Sequence, residues 1–459
     1  MTFTPSTRRP RGHKGFQPDE RPLDSGHGFW PWALARDRVP SEGKSPRGRP
    51  ERSAAKSKGD EVGAPSSAGG THSTPQSMAR ERRTGIVKDD KYLKHCPGKD
   101  HPECPERLQV LYAMLEDPDM AGRFKEVSAR SATQEELHRV HSPQYVRELE
   151  ATEGVDFTSL DSDTEACGLS HEAALLAAGG LCRAVGLVCS GELDNAFALI
   201  RPPGHHAEKS CAKGFCLYNN IAIAAKFAQN HLGIKRVLIV DWDLHHGNGT
   251  QHCFEQDPTV LYFSVHRRHT FPGTGKFREA GKGDGKGYTV NLPLPAGCGD
   301  GEYLLLFERM LKPVALDFSP EIVLVSAGFD IHFADPLGSM ALTPRGFAGL
   351  TRSVVEIAES CCQGRVVMTL EGGYNLEALR DSVKAVLLEL AGVTKTDTAE
   401  ILATADKRKI GRVLGKAWRI HKRHWPSLSV SIEPDMRQRR SPGEWLGDLL
   451  NEVIAYLRS

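Results

Sequence analysis

The segment RVLIVDWDLHHGNGT, residues 236–250, begins as an apolar strand and then changes character. Val237, Leu238, Ile239 and Val240 are followed directly by Asp241, Asp243, His245 and His246. In an extended chain alternate side chains share a face. Asp241, Asp243 and His245 therefore project together, and Trp242, Leu244 and His246 fall on the other side. Converging ionisable groups at the end of a buried strand are costly unless something compensates them, and a metal ion is the usual compensator.

Working outward, AFALIRPPG, VLYFSVH, EIVLVSAGFD and RVVMTLEGGY have the same form: short, apolar, β-rich and ended by Gly, Pro or polar residues. Helical patterns lie between them, in HEAALLAAGGLCRAVGLV, NIAIAAKFAQNHLG, GEYLLLFERMLKPVAL, PRGFAGLTRSVVEIAES and LEALRDSVKAVLLELAG. Near-continuous apolar strands separated by helices predict an α/β fold, a parallel sheet with helices on both faces. Sites in such sheets lie beyond the carboxyl ends of the strands. Four strand ends carry the reactive residues: His205 and His206, Asp241 to His245, Asp330, and Tyr374.

The 459 residues carry a formal net charge of +1, which gives no global reason to expect nucleic-acid binding. No uninterrupted apolar run reaches membrane-spanning length, so a soluble protein is expected. Eleven scattered cysteines without a C-x-x-C pair suit a reducing compartment, and a cytoplasmic location is expected. Residues 1–80 are rich in Pro, Gly, Ser, Arg and Lys and read as disordered, with FWPWALA the one apolar patch. RRPRGHKG is basic enough for organelle targeting, but Asp19, Glu20 and Asp24 argue against a transit sequence. An alternative takes Met78 as the natural start. Globular composition runs over residues 84–392, and residues 393–459 form a helical extension.

Catalytic zinc commonly takes three protein ligands and keeps one position open. Asp243 and His245 supply two, and Asp330 in SAGFDIHFADPLG can supply the third; Fe(II) suits the same donors. The tandem His205 and His206 follow a Pro-Pro-Gly turn. Asp241 can accept from one imidazole and raise its basicity, while Asn248 can orient the other without adding charge. A base near neutral pKa is what activation of water at a metal requires. Tyr374 follows Gly372 and Gly373 in LEGGYNL, where its hydroxyl can donate to a developing oxyanion.

GHHAE, GFCLYNN, VDWDLHHGNGTQ, SVHRRHTFPGTG, SAGFDIHFADPLG and LEGGYNL resemble the signature series of the zinc-dependent histone deacetylase family, and HPECPERL is similar to its usual opening. The order is the family's own across residues 84–392. Asn248 and the RPPGHHAE form resemble class II members and bacterial relatives, which include acetylpolyamine amidohydrolases. The resemblance implies an arginase/deacetylase fold, hydrolysis of an N-acetylated amine to acetate and free amine, and one zinc held by Asp243, His245 and Asp330. It implies that His206 is the general base, that His205 with Asp241 is its electrostatic or acid partner, and that Tyr374 polarises the acetyl carbonyl. Phe215 and Phe271 would wall a tunnel for the acetyl-lysine stem, with the Gly214 carbonyl accepting the substrate amide N–H and Gly373 among the substrate contacts. Asp241, Asp243, His245 and Ser264 resemble the family's internal potassium site. His246 is read as structural.

An arginase-like two-manganese site would need further carboxylates where Gly247 and His332 stand, so one metal is expected. A catalytically dead scaffold binding acetylated partners is disfavoured because every reactive position is intact. Leu337, neutral where polyamine-selective members can be acidic, favours acetylated lysine in a peptide or protein over acetylpolyamine. Asp161 and Asp163 in LDSDTEAC either clamp substrate amides or cap a helix. In the extension, KRKIGRVLGKAWRIHKRHW is a basic amphipathic helix expected to pack on its own domain. SPGEWLGDLLNEVIAYL is a capped helix able to dock in cis or form a homo-oligomer contact.

Overall fold

A computed structural model describes residues 82–428. The N-terminal segment and the SPGEWLGDLLNEVIAYL helix lie outside the described residues. Ten strands occur in chain order: β1 (Thr84–Val87), β2 (Lys125–Val127), β3 (Thr158–Asp161), β4 (Thr164–Ala166), β5 (Asn195–Ala198), β6 (Val237–Asp241), β7 (Val260–Arg267), β8 (Thr289–Leu294), β9 (Ile322–Ala327) and β10 (Val366–Leu370). Eight form one sheet in the order β2-β1-β5-β10-β9-β6-β7-β8, with every pairing parallel. β3 and β4 form a separate antiparallel hairpin.

The central strands are buried along their whole length, as strands covered on both faces must be. Ser170–Cys189, Asn220–His231, Pro344–Cys362 and Leu376–Leu390 are the longer helices of the cover. The first is apolar and long enough to match a membrane span, which amends the sequence expectation, but 67% of that stretch is packed inside the protein. GEYLLLFERMLKPVAL is not one helix. Asp300–Leu306 passes through a wide π turn, Phe307–Leu311, into Lys312–Phe318. Pro313 has no N–H to donate to the preceding turn, and the wider turn accommodates that loss.

The four chemistry-bearing strands, β5, β10, β9 and β6, are consecutive neighbours in the sheet. Their registers bring the ends level: Asp241 stands opposite Ser326, and Ala327 opposite Leu370. Residues far apart in sequence therefore leave the sheet at one place. The extension contributes helices Thr398–Ala403 and Lys407–His421, started by the side chains of Asp397 and Asp406. Ile410, Val413, Leu414 and Ala417 are buried against the domain beside β8. That stripe is filled in cis, so it is not a free surface for a second copy.

Candidate active site

Asp243, His245 and Asp330 are all buried and offer ligand atoms that lie within 4.8 Å of one another. Asp243 and His245 leave the end of β6 on one face, as the alternation requires. Asp330 follows β9, and its Oδ1 accepts from the Leu244 N–H at 2.9 Å. Nδ1 of His245 sits 3.3 Å from Asp243 Oδ1 and 3.1 Å from Asp330 Oδ2. Gly372 N–H donates to Asp243 Oδ2 at 2.9 Å. Two glycines make the room: a Cβ at Gly328 would overlap the Asp243 carboxylate, and one at Gly372 would stand 2.5 Å from Asp330 Oδ2. Burial and the adjacent Asp243 push the Asp330 carboxyl up from the usual carboxylate range. Two crowded carboxylates and an imidazole in low dielectric, with glycines clearing the space around them, fit a divalent cation.

The two histidines have different surroundings. His205 Nδ1 faces Asp241 Oδ2 at 3.1 Å, and its Nε2 lies 3.8 Å from Asp243. Burial opposes charge on this ring, but Asp243, Asp241 and Glu371 prevail and hold its pKa near 10. His206 Nδ1 faces Asn248 Oδ1 at 2.7 Å. Burial, with His205 and His245 nearby, holds His206 well below the usual imidazole range. One ring is thus biased toward the cation and its neighbour toward the neutral base, with centroids 4.0 Å apart.

Phe271 meets the His206 ring edge-on at 4.9 Å, and Phe215 meets the Tyr374 ring edge-on at 6.0 Å. Gly214 and Phe215 both have left-handed backbones, φ 55° and 68°. The β3–β4 hairpin holds them there: Asp163 Oδ1 accepts from Gly214 N–H and Thr164 Oγ1 from Phe215 N–H, each at 3.1 Å. Asp161 and Asp163 therefore cap no helix. The Gly214 carbonyl accepts from the Cys216 thiol at 3.3 Å. The Gly373 carbonyl accepts from Arg107 Nε at 2.7 Å, and its φ of 121° makes it a turn residue that sets Tyr374. Leu337 is half-buried in the loop after β9, its N–H donating to Asp335. His246 is bound to Thr274 at 2.7 Å and Gln251 at 2.9 Å, neither of which is a hydrogen-bond partner given above for His205, His206 or His245.

Several supporting residues carry no sequence signal of their own. Asp335 accepts from the backbone of Tyr374 at 2.7 Å and of Leu337 at 2.9 Å, tying two loops together. Glu371 accepts from Gly204 N–H at 2.7 Å and from Ser326 at 2.8 Å, which fixes the histidine turn. Tyr262 donates to Asp241 Oδ2 at 2.9 Å. Arg107, from HPECPERL, also donates to the Glu371 carbonyl and to Glu103, and its guanidinium lies 5.1 Å from the Tyr374 ring centroid.

Comparisons with known proteins agree with this geometry. The histone deacetylase domain model matches residues 101–390. Histone deacetylase 5 of Arabidopsis thaliana is 38% identical over 385 residues, 79% of this chain and 57% of that protein, so the chain spans little more than half the length of that relative. A probable deacetylase of Archaeoglobus fulgidus is 43% identical over 314 residues, 67% of this chain and 86% of its own. The crystal structure of the HDA15 HD domain superposes with a TM-score of 0.72 at 39% identity, covering 77% of this chain and 99% of that one. With the eight-stranded parallel sheet, that likeness makes the fold the arginase/deacetylase α/β type. The domain match and these relatives together show that the chain belongs to the histone deacetylase family.

Proposed function

We propose that the chain is a zinc-dependent amidohydrolase that removes acetyl, or another short acyl group, from the side-chain amine of lysine in proteins and releases acetate. The observation that carries this reading is the cluster of Asp243, His245 and Asp330 beside two imidazoles held by different partners. Zinc, or Fe(II), suits two carboxylates and an imidazole; when bound it supplies Lewis acidity that polarises an acyl carbonyl and acidifies water. A potassium ion at Asp241, Asp243, His245 and Ser264 belongs to the same reading, Asp241 and Ser264 being level in the sheet.

His206, neutral and with Nδ1 engaged by Asn248, takes a proton from the attacking water on Nε2 and returns it to the leaving amine. His205, held cationic by Asp241, adds positive charge beside the developing oxyanion, and the Tyr374 hydroxyl donates to it. Phe215 and Phe271 flank the acyl-lysine stem, and the Gly214 carbonyl receives the substrate N–H. Leu337 offers no partner to a second ammonium group, which favours acyl-lysine over acetylpolyamine.

The test is steady-state kinetics of the zinc-loaded full chain on acetyl-lysine peptides and on acetylspermidine. Peptide hydrolysis is expected, with Tyr374→Phe lowering kcat by about 10²–10³-fold at little change in KM. Activity on neither substrate, or an unchanged Tyr374→Phe, overturns the reading. Preference for acetylspermidine moves the substrate to polyamines.

A further inference from the structure

A line of polar groups runs outward from His206 to the surface. His206 Nδ1 lies 2.7 Å from Oδ1 of Asn248. Nδ2 of the same amide donates to Glu208 Oε1 at 2.5 Å and to the His206 carbonyl at 3.2 Å. Both Glu208 oxygens face Nδ1 of His252, at 2.9 and 3.0 Å. Asn248 and His252 are one turn apart on the helix Asn248–Phe254, so a single helical face carries two links of the line.

The orientation of that amide decides the state of the base. With Oδ1 toward the ring, Nδ1 carries the proton and Nε2 keeps its lone pair. A flipped amide would aim an N–H at Nδ1, move the ring proton to Nε2 and leave no lone pair there to accept a proton. We propose that Glu208 is a positioning residue for the deacylation: its carboxylate, steadied by His252, locks the Asn248 amide and through it the tautomer of His206. This rests on the proposed function, which makes His206 the base. It also accounts for an uncharged residue at 248, since a carboxylate there would face that of Glu208 at hydrogen-bond distance.

The experiment measures kcat, KM and thermal unfolding of the zinc-loaded full chain on an acetyl-lysine peptide. Glu208→Ala is expected to lower kcat about 10–100-fold with KM within about twofold. Glu208→Gln keeps an acceptor oxygen and retains most of the activity. Asn248→Asp alone loses activity and melts lower because two carboxylates now meet. Adding Glu208→Gln to Asn248→Asp restores both, as the new amide donates to the new carboxylate. A change that is mildly harmful in one background and beneficial in the other is not produced by simple packing.

An unchanged kcat in Glu208→Ala, or a double variant worse than Asn248→Asp, overturns the proposal; should Glu208→Ala fail to fold, the Asn248→Asp pair decides. A wild type inactive on every acylated amine removes the proposed function and this role with it. An active wild type with an indifferent Glu208→Ala removes this role alone.

Discussion

His141 is buried with both ring nitrogens committed: Nδ1 faces the Glu208 carbonyl at 2.9 Å, and Nε2 accepts from the Asn219 N–H at 2.9 Å. Protonation would set one N–H against another, and burial lowers its pKa to about 4. Because the folded value lies below the unfolded one, the contribution to stability is present above about pH 6.5 and is lost as pH falls toward 4. The stability advantage of wild type over His141→Asn in urea unfolding should therefore shrink by about 2 kcal/mol between pH 7.5 and 5; a constant difference would contradict this. Nothing in the sequence singles out His141, because both partners lie in one distant connection, between β5 and the helix Asn220–His231. The donors Asp243, His245 and Asp330 were legible because their residue types stand where apolar strands end. Arg107 was visible only inside a family-like motif: Glu103 is four positions away, but its backbone acceptors, the Glu371 and Gly373 carbonyls, lie more than 260 positions away, and no local pattern encodes such a contact.

At the scale of elements, strands built on three or more consecutive apolar residues could be read from the chain, whereas β1, β2 and β8, which lack such a run, could not. β1 and β2 have four and three residues, and β8 contains Pro293, which a parallel edge tolerates. The β3–β4 hairpin is equally hidden, its strands being only four and three residues long. Its role is to hold Phe215 in a left-handed backbone that costs a non-glycine residue about 1 kcal/mol or more. Asp163→Ala frees the Gly214 N–H and lets the Phe215 wall relax. The expected outcome is a KM for acyl-lysine peptides raised about fivefold, from about 1 kcal/mol of lost preorganisation, with kcat less affected. A fall in kcat alone would mean that the hairpin serves the reacting groups and not the wall.

For the whole molecule, the family match ends at residue 390 but the folded unit does not. β8 is the last strand of the sheet, and helix Lys407–His421 lies beside it with its apolar stripe inward and Arg408, Arg412, Lys416 and Arg419 outward. Trp425 continues the cover, its Nε1 donating to the Gly287 carbonyl at 3.1 Å, and Leu428 is buried below Trp418, which donates to the Leu428 carbonyl at 2.7 Å. The amphipathic period of this helix is legible in the sequence but its docking site is not, because β8, TVNLPL, has no continuous apolar run. Each fully buried large apolar side chain contributes about 1.5–3 kcal/mol, so Ile410, Val413, Leu414, Trp425 and Leu428 together are comparable with the net stability of a domain. Truncation before Asp406 should therefore lower the melting temperature by about 5 °C or more and promote aggregation through the uncovered sheet edge. A truncated chain that melts like the full one would make residues 406–428 an appendage; if it also changed oligomeric state, the extension would be an interface and not part of the core.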